Sequence, residues 1–275
     1  MKKEKRLRDV WLIHGLGDSP TVWQRVRRGQ GFNEYRFVKP ALPGHGGADP
    51  LPEAERGVDG TARWLQDAIE KRGYPAILVG HSMGGIIATL VGSRCEAVMG
   101  VVNIEGPLQL ADCDTAKNAS QAKDFAHWFA SFRDSVKFHS SGAPTHYARS
   151  VARADALTFQ ACARSMVELV KTGAVERTYA SLKAPSVYFY GDSGDGISKT
   201  SRRFLEQRRL PTRRFRGAGH WPMIEQPDEF AAALRETLAS MTVREDSSDQ
   251  GVSTAAPSSR PARRSSSASL ARSKA

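Results

Sequence analysis

Ala76-Ile77-Leu78-Val79-Gly80-His81-Ser82-Met83-Gly84-Gly85-Ile86-Ile87-Ala88-Thr89-Leu90 passes from a short apolar run, through a glycine-flanked serine, into a helix-forming run. Strand, sharp turn and helix with serine at the turn make the pattern of a nucleophile elbow. The spacing has a steric cause. A serine on so tight a turn needs neighbours without side chains, and Gly80 and Gly84 supply them. The same turn aims the backbone N–H of Met83 and the start of a helix at any negative oxygen formed beside the serine. Because five residues of this kind arise easily by chance, the surrounding sequence has to carry the reading.

Outward from the elbow, short apolar runs alternate with helical spacing. Strands are expected at 10–13, 35–39, 76–79 and 98–104, with helices at 22–28, 58–72 and 83–94. Residues 107–182 then keep helical spacing without a strand, after which a strand at 186–190, a helix at 198–208, a strand at 213–216 and a helix from 227 to about 241 complete the pattern. Continuous apolar strands separated by amphipathic helices predict an α/β fold: a doubly wound, mostly parallel sheet covered on both faces. The expected division is a core of residues 1–106 and 183–242, a helical insertion at 107–182 placed as a cap over the C-terminal strand ends, and a disordered Ser/Arg-rich tail at 243–275.

Composition narrows the function classes. The 275 residues carry 40 Lys and Arg against 29 Asp and Glu, a formal charge of +11. The basic residues are scattered, with concentrations only at the first eight residues and in the tail, so no specific nucleic-acid partner is expected. No run of eighteen apolar residues exists and the basic start runs straight into a strand, which predicts a soluble cytoplasmic protein without membrane insertion. Cys95, Cys113 and Cys162 are odd in number and unpaired in spacing, which argues against a disulfide framework or zinc site and for a reducing compartment. Nothing in the sequence specifies an oligomeric state.

Two further segments fit the elbow. His14-Gly15-Leu16-Gly17-Asp18-Ser19 is a glycine-rich turn after the first strand, able to offer the N–H of Leu16 as a second oxyanion donor opposite Met83. It completes neither nucleotide-binding glycine pattern, so phosphate cradling is disfavoured. Gly217-Ala218-Gly219-His220-Trp221-Pro222 follows the last strand, where a histidine can take the serine proton and return one to a leaving group. His14 and His81, flanking the proposed oxyanion hole, are expected to be structural, and His45 belongs to a loop. His127, His139 and His146 are assigned to the surface or the pocket lining of the insertion. Trp128, Phe129 and Phe132 are expected chiefly as core, with a pocket role open to them and to Tyr147.

The segments Ile13-His14-Gly15-Leu16-Gly17, Leu42-Pro43-Gly44-His45-Gly46, Gly80-His81-Ser82-Met83-Gly84-Gly85 and Gly219-His220-Trp221-Pro222 together resemble the α/β-hydrolase superfamily over residues 9–242. The resemblance implies Ser82 as nucleophile, His220 as general base and acid, and Leu16 with Met83 as oxyanion donors, with no cofactor. Two features depart from it. Barely nine residues precede the strand that leads into the H-G turn, so the sheet is expected to be truncated to about six strands, and Ala41 stands where many relatives carry Asp. Relatives usually draw the acid from a G-x-x-D pattern after the strand ending at Tyr190. Here Gly191-Asp192-Ser193-Gly194-Asp195 delays it by one residue, so Asp195 is the first choice. Glu105, at the end of the apolar strand Val101-Val102-Asn103-Ile104, and Asp192 remain alternatives.

The expected activity is cleavage of a small ester, lactone or thioester through an acyl-enzyme on Ser82. An acyltransferase or C–C bond hydrolase would share the triad, and a non-enzymatic ligand receptor could share the fold.

Overall fold

The computed structural model describes residues 8–26, 31–138, 144–194 and 196–248. Six strands form one sheet: β1 (Arg8–Ile13), β2 (Tyr35–Val38), β3 (Ala76–His81), β4 (Val98–Ile104), β5 (Ser186–Gly191) and β6 (Thr212–Phe215). Their order is β2-β1-β3-β4-β5-β6, and every neighbouring pair is parallel. Helix α1 (Val58–Arg72) connects β2 to β3, and α2 (Met83–Gly92) connects β3 to β4. Among the described residues five α-helices separate β4 from β5: α3 (Asp114–Gln121), α4 (Phe125–Phe138), α5 (Pro144–Val151), α6 (Ala156–Lys171) and α7 (Ala174–Ala180). Helix α8 (Lys199–Gln207) leads to β6, and the short α9 (Pro222–Glu225) precedes α10 (Pro227–Ser248).

Alternating side chains of the central strands enter opposite layers, which is why they read as largely apolar runs, whereas the edge strands β2 and β6 carry Arg36 and Arg213-Arg214. Val10, Leu12, Ile77, Val79, Val102, Ile104 and Phe189 pack with Phe230, Leu234 and Leu238 of α10. Trp11, Ile13, Leu78 and Val101 face the other way, onto Leu65 of α1, Ile87 of α2 and the inserted helices. The insertion is continuous with this second core layer: Phe159, Cys162 and Ala163 of α6 and Tyr179 of α7 are fully or almost fully buried in it. Phe125, Trp128, Phe129 and Phe132 of α4 stack on one another, and the last three also lie against Phe159, so Phe129 belongs to the core and the other three pack half-buried against it.

Two expected helices differ in extent. The segment expected to be helical at 22–28 begins as a single 3-10 turn, Pro20–Trp23, and residues 27–30 lie outside the described residues. At the other end α10 runs on to Ser248, through the first six residues assigned to the tail, because extending an established helix costs far less than starting one. The expectation of a disordered tail at 249–275 lies outside the described residues.

The sheet order positions the site. The chain leaves β1 toward one edge, returns to β3 on the other side of β1, and then proceeds toward the opposite edge. Side chains and loops at the carboxyl ends of β1 and β3 therefore border the crevice where the winding direction reverses. That crevice receives Gly15, Leu16 and Ser82.

Candidate active site

Ser82 stands between β3 and α2 with φ 53° and ψ −121°, a conformation that non-glycine residues rarely adopt. Its N–H donates to the Ile104 carbonyl at 2.8 Å, tying the turn to β4. The glycines have the predicted steric role. A Cβ on Gly80 would lie 2.0 Å from the Gly84 carbonyl oxygen, and one on Gly84 would lie 2.4 Å from that of Ile13. Asn103 of β4 braces the same turn from below, its side-chain amide donating to the Gly85 carbonyl at 3.3 Å and its oxygen accepting from the Gly106 N–H at 2.9 Å. Among the described residues the N–H groups of Leu16 and Met83 have no protein acceptor; Leu16 lines the crevice with Ser82, and Met83 follows Ser82 as the first residue of α2.

His220 shares the cavity wall with Ser82. Its Nδ1 lies 3.5 Å from Oε2 of Glu105, a carboxylate with no solvent exposure that follows β4 in a left-handed conformation, φ 54°. The other oxygen, Oε1, accepts the Gly191 N–H at 2.6 Å. Burial pushes the Glu105 carboxyl above its ordinary value, and His220 and the Gly191 N–H partly offset the shift by favouring the anion. The loop after β5 closes over this group, since a Cβ on Gly196 would stand 3.4 Å from Oε1.

Of the other two candidate acids, Asp192 is placed differently. Asp192 accepts from the Arg214 guanidinium and from the Gly217 N–H, both at 2.6 Å, and these contacts hold its carboxyl below the ordinary range. Asp195 lies outside the described residues.

The remaining histidines near the site are structural. His81 Nε2–H donates to the His220 carbonyl at 2.8 Å, with the two rings 4.8 Å apart, so it anchors the loop that carries His220. His14 accepts the Leu42 N–H at Nε2 and donates from Nδ1 to the Gly15 carbonyl, while His45 donates to the Pro43 carbonyl. Burial is the main force keeping all three neutral, and it lowers His45 to about 4 and His81 to about 3.

This arrangement predicts acid sensitivity. The unfolded chain protonates these rings near their ordinary value of 6.5, whereas the folded chain resists until far lower pH, so stability is complete above 6.5 and declines as pH falls toward 4. His45 and His81 should each cost on the order of 2 kcal/mol between pH 7 and pH 5. Glu105, with its raised value, acts in the opposite sense at the lower end of that window. Urea unfolding at the two pH values checks the sum, and equal stability at both would refute it.

The cavity has a volume of about 480 Å³. Pro107, Ala111, Cys113, Ala116 and Met166 give it an apolar side, and Asp18, Asp112, Ser198 and Tyr147 give it polar points. Among the described residues no Lys or Arg lines it. Asp112 was not singled out by sequence, yet it accepts from the N–H groups of Leu108, Gln109 and Ser198 and from the Ser201 hydroxyl, fastening the segments after β4 and β5 to one another. Asp18 lay within a quoted motif without a role. In the fold it is buried and pairs with His146 of α5 at 3.2 Å, a partner 128 residues away that no local pattern could indicate.

A parallel sheet with serine on the elbow, histidine after the last strand and a buried carboxylate beside that histidine defines a hydrolase of the α/β type. The chain belongs to the Alpha/beta hydrolase family, whose sequence model matches residues 12–233. It is 27% identical over 252 residues to a pimeloyl-[acyl-carrier protein] methyl ester esterase of Edwardsiella ictaluri, covering 83% of this chain and 92% of that protein. The corresponding esterase of Sodalis glossinidius is 25% identical over 247 residues, covering 82% and 92%. Among solved structures, N-acyl homoserine lactonase AidH complexed with N-butanoyl homoserine superposes with a TM-score of 0.69 at 20% identity, covering 87% of this chain and 91% of that one. A thermophilic esterase from Thermogutta terrifontis does so at 0.66 and 20%, covering 86% and 91%. The protein is thus a carboxylesterase-like hydrolase, and no helix among the described residues is long and apolar enough to cross a membrane.

Proposed function

We propose that the protein hydrolyses a small neutral carboxylic ester, lactone or thioester through an acyl-enzyme on Ser82, with His220 as base and acid and Glu105 as the orienting carboxylate. The observation that carries this reading is the placement of Ser82 and His220 on one cavity wall with the His220 Nδ1 turned to the buried Glu105. Nδ1–H directed at a carboxylate leaves Nε2 free to accept a proton.

In acylation the Ser82 Oγ bonds to the carbonyl carbon as its proton passes to His220 Nε2. The carbonyl π pair moves onto oxygen, where the Leu16 and Met83 N–H groups stabilise the negative charge. Collapse of this intermediate breaks the bond to the leaving alcohol or thiol, which takes the proton from His220. Water then gives a proton to His220 and its oxygen attacks the acyl carbon. The second collapse expels the Ser82 oxygen, which recovers the proton, and the carboxylic acid departs.

The cavity volume falls in the range of small-molecule sites, and its lining, without Lys or Arg among the described residues, offers no partner for an anionic acyl end. The relatives named for a methyl ester on an acyl carrier make methyl esters of medium-chain acids a reasonable part of the substrate range. Free, buried Cys95, Cys113 and Cys162 support placing the protein in a reducing compartment such as the cytoplasm. Purified protein assayed against methyl, nitrophenyl and thiol esters and lactones of graded chain length should turn over neutral short to medium substrates and discriminate against ω-carboxylate analogues. Failure to turn over any member would refute the assignment.

A further inference from the structure

Helix α5 holds the turn that carries Leu16 through polar contacts from a single helical turn of its own. Tyr147 donates its hydroxyl to the Leu16 carbonyl at 2.9 Å. His146 Nε2 lies 3.2 Å from the Asp18 carboxylate, and the Ser150 hydroxyl meets that of Ser19 at 2.8 Å. Residues 146, 147 and 150 share one face of α5 because that spacing brings side chains together on a helix.

The held segment is a four-residue turn closed by the Asp18 N–H donating to the Gly15 carbonyl at 3.2 Å, with Gly17 in the third position at φ 69°. Positive φ there matches a type II turn, which differs from type I chiefly by a flip of the central peptide. That central peptide joins Leu16 to Gly17, and its carbonyl is the group bound by Tyr147. A flip would rotate ψ of Leu16 and reorient the turn from which the Leu16 N–H projects. Tyr147 also faces the other side of the site, its ring 5.8 Å from that of Trp221, next to His220. Burial pushes its phenol far above the ordinary value, so the hydroxyl remains a donor throughout the working pH range.

We propose that Tyr147 is a positioning residue for the oxyanion hole: its hydroxyl locks the Leu16–Gly17 peptide, so that the Leu16 N–H is set by the inserted helix α5 as well as by the sheet. The proposal rests on the acyl-enzyme reading above. It makes the inserted helices part of the catalytic apparatus as well as a boundary of the substrate cavity.

The test is Tyr147→Phe, which keeps the ring and removes only the donor. Its kcat on a nitrophenyl ester should fall about 10-fold with KM within about 2-fold, because a misaimed donor costs stabilisation only where the oxyanion forms. A trifluoromethyl ketone adds the Ser82 oxygen to its carbonyl carbon, places an oxyanion in the hole and sends the serine proton to His220. Its affinity should fall by the same factor, while that of the unreactive ether analogue stays unchanged. Ser150→Ala, which loosens the turn through Ser19, should show the same split more weakly and decides the matter if Y147F does not fold. Wild-type values for ketone affinity and kcat in the folded variants would overturn the role of Tyr147 while leaving the acyl-enzyme reading intact. Wild-type protein that neither hydrolyses an ester nor binds the ketone would overturn both.

Discussion

Ser82→Ala should lower kcat by about five to six orders of magnitude, and it should abolish labelling by a fluorophosphonate probe. The substitution removes one oxygen from the wall of the cavity and leaves its volume and the Leu16 and Met83 amides in place. Substrate binding should therefore persist, and the loss should appear in kcat far more than in KM. Alanine inherits the left-handed backbone of residue 82, which serine already occupies at φ 53° without a glycine's freedom, so the folded state should lose little stability. Single-turnover kinetics with a nitrophenyl ester, alongside thermal unfolding, separate chemistry from folding. Retained labelling of the folded variant would exclude Ser82 as the nucleophile.

Glu105→Gln should reduce kcat by about three to four orders of magnitude, the scale seen when a triad carboxylate becomes an amide and the imidazole takes the wrong tautomer. Glutamine can still accept the Gly191 N–H through its oxygen, so the loop after β5 keeps its anchor. Its NH2 group would then face Nδ1 of His220, turning that nitrogen into an acceptor and leaving the proton on Nε2, where it blocks uptake from Ser82. Asp192→Asn retains an acceptor for Gly217 and loses only a charge paired with Arg214, so its kcat should stay within about 3-fold of wild type. Asp195→Asn should behave likewise. Near-normal turnover in E105Q together with collapse in D195N would move the acid to Asp195. If Glu105 were merely a brace, E105Q, which keeps the Gly191 anchor, would keep its kcat.

Much of this site is legible along the chain because it is local. The elbow needs glycine at 80 and 84 for reasons of contact within a few residues and with the adjoining strand end, and those contacts occur as the pattern implies. The central strands announce themselves as apolar runs, and all six strands, the edge strands β2 and β6 included, fall within about two residues of their expected bounds. The choice among carboxylates is of another kind. A G-x-x-D pattern draws attention to the loop after β5, but the pairing of Ile104 with Phe189 brings the end of β4 level with that loop and sets Glu105 against Gly191. A glutamate ending an apolar strand is visible in sequence; the histidine it faces, 115 positions later, is not. The hold of α5 on the oxyanion turn is equally silent, because Tyr147 and Leu16 meet across 131 positions and neither carries a motif that names the other.

The parallel α/β layering and the strand–serine–helix turn are written along the chain, since alternation, apolar runs and steric exclusion act over neighbouring residues. The proximity of Glu105 to His220 and the grip of α5 on the Leu16 turn emerge only from the folded arrangement. Those contacts depend on sheet order and on how the inserted helices pack, and both are fixed by burial summed over the whole chain.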